Sequence, residues 1–451
     1  MIFKRLARSE LLSTFFPTWI WQGRQWAKGK VPKYDPYYWI NAHAHPVIST
    51  YYPFQISTSI LSTKLSLNNS FLLLTSSIFM HYSFCFYGWY IIFHGWSSAW
   101  CSIFGAITLT FSAYNWKQQP CSQYTFAWFP WLLTGIATNN ILLTSISFGM
   151  ILLAGYYPIG IQATLIAVGA SVLWDTPLTW VPIGLVIGLP QLVPFLRYLP
   201  KTIRTKAVSD KGKVPWWHFA SLIFPKAFRF NVNGVGHWEM SYYIGLIPLL
   251  TIWYTRSRAV WLVAFAALLM LGVCGKLLPR IPARFSYTFQ FALIWCAVTG
   301  LANMHLPDHV VAVLCLIQAF DLWHNNSPLL VNHPYAELYQ KPSWAFNTKL
   351  TRFLESNLGD ARVSGLPYPL FTGHINKLKT IGYCGGMQLK LMAKWRHDDS
   401  PDGSGQHDFF KGDGNTDGLR IARVKYAWTS KKLGWPSTGV RHLYSNPAFS
   451  C

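Results

Sequence analysis

Apolar residues come in long blocks separated by short polar breaks, and the clearest block, Phe71 to Phe93, holds about 23 residues without a formal charge. A helix of that length covers the roughly 30 Å of a bilayer's hydrocarbon core. Nine further apolar stretches follow, at about 99–114, 126–137, 141–155, 158–174, 179–196, 241–255, 259–274, 286–303 and 308–323. Several are short, which predicts tilted or re-entrant helices. The pattern predicts an all-α polytopic membrane protein of about ten membrane segments. With all of them crossing, alternation puts residues 1–70, 197–240, 275–285 and 324–451 on one side, and the turn with Arg256 and Arg258 on the other.

The chain therefore divides into a first interfacial loop at 1–70, a helical membrane domain at 71–323 with a basic loop at 197–240, and a water-exposed domain at 324–451. In that last region the best strand signal is Leu419 to Thr429, where Ile421, Val424, Tyr426 and Trp428 mix β-formers with basic residues, so a small mixed α/β domain is expected. Asp413, Asn415, Asp417 and Gly418 open like a calcium loop, but the twelfth position is Val424 and not a bidentate carboxylate. They read as a solvated acidic loop. At the N-terminus Lys4, Arg5 and Arg8 precede an apolar run from Leu11 to Trp21 that Pro17 interrupts, with no small-residue cleavage site after it. This predicts a mature membrane-surface segment and not a signal peptide.

Composition fits lipid as solvent: 51% of the residues are hydrophobic, 17% aromatic and only 12% charged. That charged share is about half the usual one for a soluble domain. The charges are lopsided, 38 Lys and Arg against 16 Asp and Glu, and a net +22 calls for an anionic partner. Nucleic acid fits poorly, because the basic residues lie between apolar spans. Membrane lipids and lipid phosphates fit well. By the positive-inside rule alone, the side with the 197–240 loop is cytoplasmic. Most of the eight cysteines, among them Cys85, Cys101, Cys274, Cys296 and Cys315, fall within apolar runs and read as buried small hydrophobes.

Before residue 335 there are seven acidic residues: Glu10, Asp35, Asp175, Asp210, Glu239, Asp308 and Asp321. Ionisable groups near a membrane are candidates for function. Glu10, Asp35 and Glu239 fall on the basic side, where pairing with a nearby cation is the alternative reading. Asp175, Asp308 and Asp321 lie near span ends and are expected to cap helices or pair locally. His43 and His45 stand two apart and share one face of a strand, where they can hold a phosphate or a metal, or serve as hydrogen-bonded structural residues. No third metal ligand stands at a recognisable spacing. Arg280 and Arg284, set among prolines in Leu278–Phe285 just before an apolar span, suit bidentate capture of a phosphate.

The ordered set Glu10 with Phe15-Phe16-Pro17, Gly29-x-x-Pro32-x-Tyr34-Asp35-Pro36, and Tyr51-Tyr52-Pro53 resembles the first extracytoplasmic loop of YfhO-like bacterial membrane proteins, in the GT-C class of glycosyltransferases. Gly105–Ser112, Trp128-Phe129-Pro130-Trp131, Tyr242–Leu246, Arg280–Phe285 and Val424-Lys425-Tyr426 are similar to later family segments. The resemblance implies a GT-C-like helical bundle in the bacterial inner membrane, with the basic side and the C-terminal domain extracytoplasmic. It implies sugar transfer from a polyprenyl-phosphate-linked donor to a cell-envelope acceptor. Glu10 or Asp35 is then the catalytic carboxylate, as general base or as ligand to a divalent cation. His43, His45, Glu239, Arg280 and Arg284 are the substrate-binding candidates. Family members carry a first transmembrane helix before the acidic residue, usually Asp, whereas Glu10 stands near the start here, so the resemblance implies a chain without that helix. Two other functions suit the same residues: a transporter or flippase of an anionic envelope precursor, and a non-catalytic envelope protein.

Overall fold

The computed structural model describes residues 16–32, 49–112, 120–198, 200, 214–225, 242–273, 285–326, 349–357, 359, 362–364 and 424–427. They are overwhelmingly helical. After α1 (Phe16–Trp26) and α2 (Pro53–Ser62) come α3 (Leu67–His94), α4 (Ala99–Phe111), α5 (Pro120–Ala137), α6 (Ile141–Ala154), α7 (Tyr157–Leu173) and α8 (Trp180–Tyr198). A short 3-10 helix, Trp216–Leu222, precedes α9 (Leu246–Thr251), which tightens into a 3-10 turn at Ile252–Tyr254. Then follow α10 (Ala259–Met270), α11 (Ser286–Asn303), α12 (Asp308–Asn326) and α13 (Lys349–Asn357). Strands β1 (Arg362–Ser364) and β2 (Val424–Ala427) pair in parallel.

Each of the ten apolar stretches coincides with a helix, α3 to α12. Local chemistry sets their starts. Ser66 and Ser98 accept hydrogen bonds from Asn69 N and Cys101 N, and Asn140 accepts from Leu143 N at 3.0 Å. The stretch expected at 241–255 is helical only from Leu246, because Gly245 takes φ +96° and breaks the backbone there. The basic-side segment 1–70, read as a loop, holds two helices. Pro17 and Pro53 stand in the first turns of α1 and α2, where a missing N–H costs nothing.

Long-range hydrogen bonds define two ends of the bundle. At one end Ser49 Oγ donates to Ala154 O, Tyr157 OH to Gln191 O, Thr288 Oγ1 to Gln162 Oε1, and Asn326 Nδ2 to Phe111 O. The opposite end is closed by short turns. There Thr176 Oγ1 donates to Ile136 O, Thr255 and Thr299 share a 2.6 Å hydrogen bond, and Asn303 Nδ2 donates to Tyr254 O. Asn139, Asp175 and His305 leave α5, α7 and α11 in the left-handed conformation that polar side chains tolerate best. Asp175 thus ends a helix, as expected, and Asp308 sits in the first turn of α12, where the helix dipole favours it.

Large apolar side chains lie on the outside of the bundle as well as in its core. Leu316 and Phe320 of α12, Trp261 and Phe265 of α10, Leu165 and Val172 of α7, and Val186 of α8 all point outward. Thr108, Ser145, Ser147, Gln162, Gln290 and Gln318 are buried. Two helices, Leu67–His94 and Trp180–Arg197, are long and apolar enough to cross a membrane by length and composition. Ala99–Phe111, Ile141–Ala154, Tyr157–Leu173 and Ala259–Met270 are shorter apolar helices.

Helix α6 packs on α5 and α8 through small residues. A Cβ on Gly184 would meet the Phe148 ring and the carbonyl of Ser145, so α6 and α8 approach to backbone contact. Nothing lies within 4 Å of a Cβ built on Gly169. Gly184→Ala is expected to lower stability by about 1–3 kcal/mol through overpacking. Gly169→Ala should be neutral or stabilise by about 0.5–1 kcal/mol. Thermal unfolding of the two purified variants checks the contrast.

The 3-10 helix is docked by Val214 N, which donates to Met270 O at 3.0 Å, and by the buried ring of His218 near Tyr242, with centroids 5.5 Å apart. Burial holds the His218 imidazole below its usual value of 6.5. An unfolded segment therefore binds the proton more readily than the docked one. The stability this histidine contributes is complete above about pH 6.5 and is lost as pH falls through its lowered value. Amide exchange of 214–225, corrected for intrinsic rates, should quicken on acidification, and His218→Phe should remove that pH dependence.

Candidate functional site

The first described residues after the histidine pair build a polar and aromatic seat. Ser49 Oγ donates to Ala154 O at 2.6 Å, and Tyr51 N donates to Gln191 Oε1 at 3.3 Å. Gln191 in turn lies against Gly155, whose φ of +76° closes α6. Gln55 Nε2 donates to Gln22 Oε1 at 2.7 Å and Gln22 Nε2 to Thr50 Oγ1 at 3.1 Å, which ties α1 to α2 through a buried amide pair.

Tyr52 is fully buried, and its hydroxyl is the centre of a chain that crosses three elements. Trp128 Nε1 donates to it at 2.8 Å, and His81 Nε2 lies 2.7 Å away. His81 Nδ1 faces the carbonyl of Ser77 at 2.7 Å. A carbonyl only accepts, so Nδ1 carries the proton, Nε2 accepts, and Tyr52 donates. Every polar atom of the trio is then satisfied by a neutral imidazole. The Tyr124 ring stacks on Tyr52, with centroids at 5.0 Å, and approaches His81 at 4.5 Å.

A second cluster joins α12 to the lead into α9. Tyr243 OH lies 2.6 Å and 2.7 Å from the two carboxylate oxygens of Asp321, Leu246 N donates to one of them at 3.2 Å, and Asn325 Nδ2 donates to the other at 2.6 Å. Asp321 was expected to pair locally. Asn325 is such a partner, but the tyrosine comes from 78 residues away. One helical turn earlier, Gln318 Nε2 donates to Ile244 O at 2.7 Å and to Thr108 Oγ1 at 3.2 Å.

Glu10, Asp35, His43, His45, Glu239, Arg280 and Arg284 all lie outside the described residues. The described residues that flank them share one end of the bundle. Phe16 packs edge-on against Phe71 near the start of α3. Ser49 bonds to Ala154, Tyr243 to Asp321, and Thr288, just past Phe285, to Gln162. Sequence reasoning passed over His81 and Gln191. The signal for His81 was available, since it is an imidazole inside a span without formal charge. Among the described residues no three His, Cys, Asp or Glu side chains gather as a metal centre would require. Cys85, Cys101, Cys296 and Cys315 are buried free thiols, as expected. No family model, curated protein or solved structure matches this chain.

Tyr52→Phe removes the hydroxyl that both Trp128 and His81 use, and should cost about 1–3 kcal/mol for the groups left unpaired. In a His81→Phe background the same change should cost measurably less, with a coupling of about 0.5–3 kcal/mol. A denaturation double-mutant cycle measures it. Additive effects would mean that the Tyr52–His81 bond contributes nothing.

Proposed function

We propose that this chain is a multi-pass membrane protein that transfers a sugar from a polyprenyl-phosphate carrier to a cell-envelope acceptor at its basic, extracytoplasmic end, as its likeness to YfhO-like proteins of the GT-C class implies. The observation that carries the membrane part is the apolar exterior. Leu165, Val186, Trp261, Leu316 and Phe320 face outward while serines, threonines and glutamines are buried. Water penalises such an exterior, whereas lipid does not.

The site reading is supported by the shared end from which the segments carrying Glu10, His43, His45, Glu239 and Arg284 depart. In this reading Glu10 or Asp35 accepts the proton of an acceptor hydroxyl. The hydroxyl oxygen bonds to the anomeric carbon, the bond from that carbon to the phosphate oxygen breaks, and the electron pair leaves on the phosphate. Arg280 and Arg284 compensate the charge that develops there, and His43, His45 and Glu239 orient the sugar phosphate.

The protein is expected to resist alkaline carbonate extraction, and a reporter fused after Cys451 should be active only outside the cytoplasm. In isolated membranes, Glu10→Gln or Asp35→Asn should cut sugar transfer by about a hundredfold or more. Wild-type transfer by both variants would refute the assignment of the carboxylate.

A further inference from the structure

Two of the buried thiols, Cys101 and Cys315, stand on neighbouring helices that pack against each other, α4 and α12. The helices run in the same direction, since Trp100 meets Cys315 towards their starts and Phe111 meets Asn326 at their ends. On α4, Cys101 precedes Thr108 by seven residues, two helical turns, and so shares its face. That face is turned to α12, because Gln318 Nε2 donates to Thr108 Oγ1 at 3.2 Å. On α12, Cys315 stands three residues before Gln318 and shares its face in the same way. The register is direct: Cys315 Sγ donates at 3.4 Å to the carbonyl of Trp100, the peptide group that leads into Cys101. The two thiols also lie within electrostatic reach of each other.

A facing pair can do what a single core cysteine cannot. A disulfide needs backbones roughly 4–7 Å apart at the two cysteines, and a thiol resting on the peptide group before its counterpart supplies that closeness. The bond is uncharged, so an apolar setting that suits two thiols suits it too. Cys85 and Cys296 are placed otherwise, the first against the carbonyl of Phe126 and the second beside Thr255. The pair is also near a surface. Cys101 is the third residue of α4, its N–H bonded to the capping Ser98 at the closed end, and the adjoining Trp100 and Leu316 are exposed.

We infer that Cys101 and Cys315 are a reversible oxidation site, a dithiol that closes to a disulfide and staples α4 to α12. One cysteine, as its thiolate, attacks the sulfur–sulfur bond of a disulfide oxidant such as glutathione disulfide and releases one oxidant thiol. The other cysteine then attacks the protein sulfur of the mixed disulfide and releases the second. The oxidant's sulfur–sulfur bond breaks, that between Cys101 and Cys315 forms, and the two electrons and two protons end on the two released thiols. Helix α12 also carries Gln318 and Asp321, which hold Ile244 and Tyr243 at the lead into α9. A staple near its start therefore fixes the helix on which that cluster is built. The site rests on the packing of α4 on α12 and does not depend on sugar transfer. With the closed end toward the cytoplasm, as proposed above, the resident thiol pool holds the pair reduced and an oxidising load closes it.

The test uses the purified full chain, equilibrated with glutathione and glutathione disulfide at ratios from reducing to oxidising, acid-quenched, alkylated under denaturing conditions, digested and read by mass spectrometry. Peptides linked through Cys101 and Cys315 should rise from a trace to the main species as the ratio becomes oxidising, and should disappear with a dithiol reductant. Cys85 and Cys296 should stay alkylated throughout. The oxidised chain should melt about 5 °C above the reduced one. Cys101→Ala and Cys315→Ala should each remove both the linked peptides and that difference. The titration of the unaltered chain needs no variant, so it decides the site even if a variant fails to fold. Both cysteines alkylated at every ratio, either one stopping at the glutathione adduct, or either one linked to a different cysteine would overturn the site. Linked peptides without a shift in melting would overturn the staple.

Discussion

A helix bundle whose outer side chains are largely apolar has to satisfy many of its polar groups from within, and a set of buried hydrogen bonds answers that requirement. Thr75, Thr108 and Thr144 return their hydroxyls to the carbonyl one turn back, at 2.7 Å in each case, so a threonine can sit in an apolar span without a distant partner. Pro130 inside α5 deprives the Phe126 carbonyl of its usual donor, and the Cys85 thiol of α3 approaches that carbonyl at 3.6 Å. The amide of Gln318 serves two elements at once. Bonds of this kind fix which helix faces which, because a rotated helix would leave its polar atoms unpaired among apolar neighbours.

The two ends of the bundle follow from the same constraint at different chain lengths. At one end the connections from α3 to α4, α5 to α6 and α11 to α12 are only a few residues long and are closed by left-handed residues or a capping serine. At the other end the chain departs for long excursions after α8, α10 and α12. Long excursions need anchors where they leave and return. Tyr52 with His81 and Trp128, and Tyr243 with Asp321, are such anchors, each tying the first residues after an excursion to the side of a helix. These anchors hold the points where the described chain resumes in register with the bundle.

Much of the helical frame was legible because runs without charge have few folded alternatives once they are as long as Phe71 to Phe93. The failures have physical causes. Helix α1 was hidden by Pro17, which reads as an interruption but sits in a first turn, and Pro53, read as the end of a Tyr-Tyr-Pro motif, opens α2 in the same way. The strand expected at 419–429 is paired at Val424–Ala427, and its partner Arg362–Ser364 carries no pattern of its own in three residues. The Asp321 site was half legible. A local partner four residues away follows from helical spacing, whereas Tyr243 depends on how α9 is laid against α12, which no local pattern encodes.

The interior bears on the choice between transfer at one end and translocation through the middle. Trp89, Phe129 and Phe291, from α3, α5 and α11, meet with ring centroids 5.4–5.6 Å apart, and Tyr287 closes on Phe126 at 4.5 Å. All of them are buried, and they fill the space where those three helices come together. A route for a lipid-linked precursor between these helices would have to separate this cluster, against both its apolar burial and the edge-to-face contacts of Phe129 with Trp89 and Phe291. Chemistry on a lipid phosphate at the membrane surface needs no such opening. The packing therefore counts against passage of a bulky substrate between these three helices.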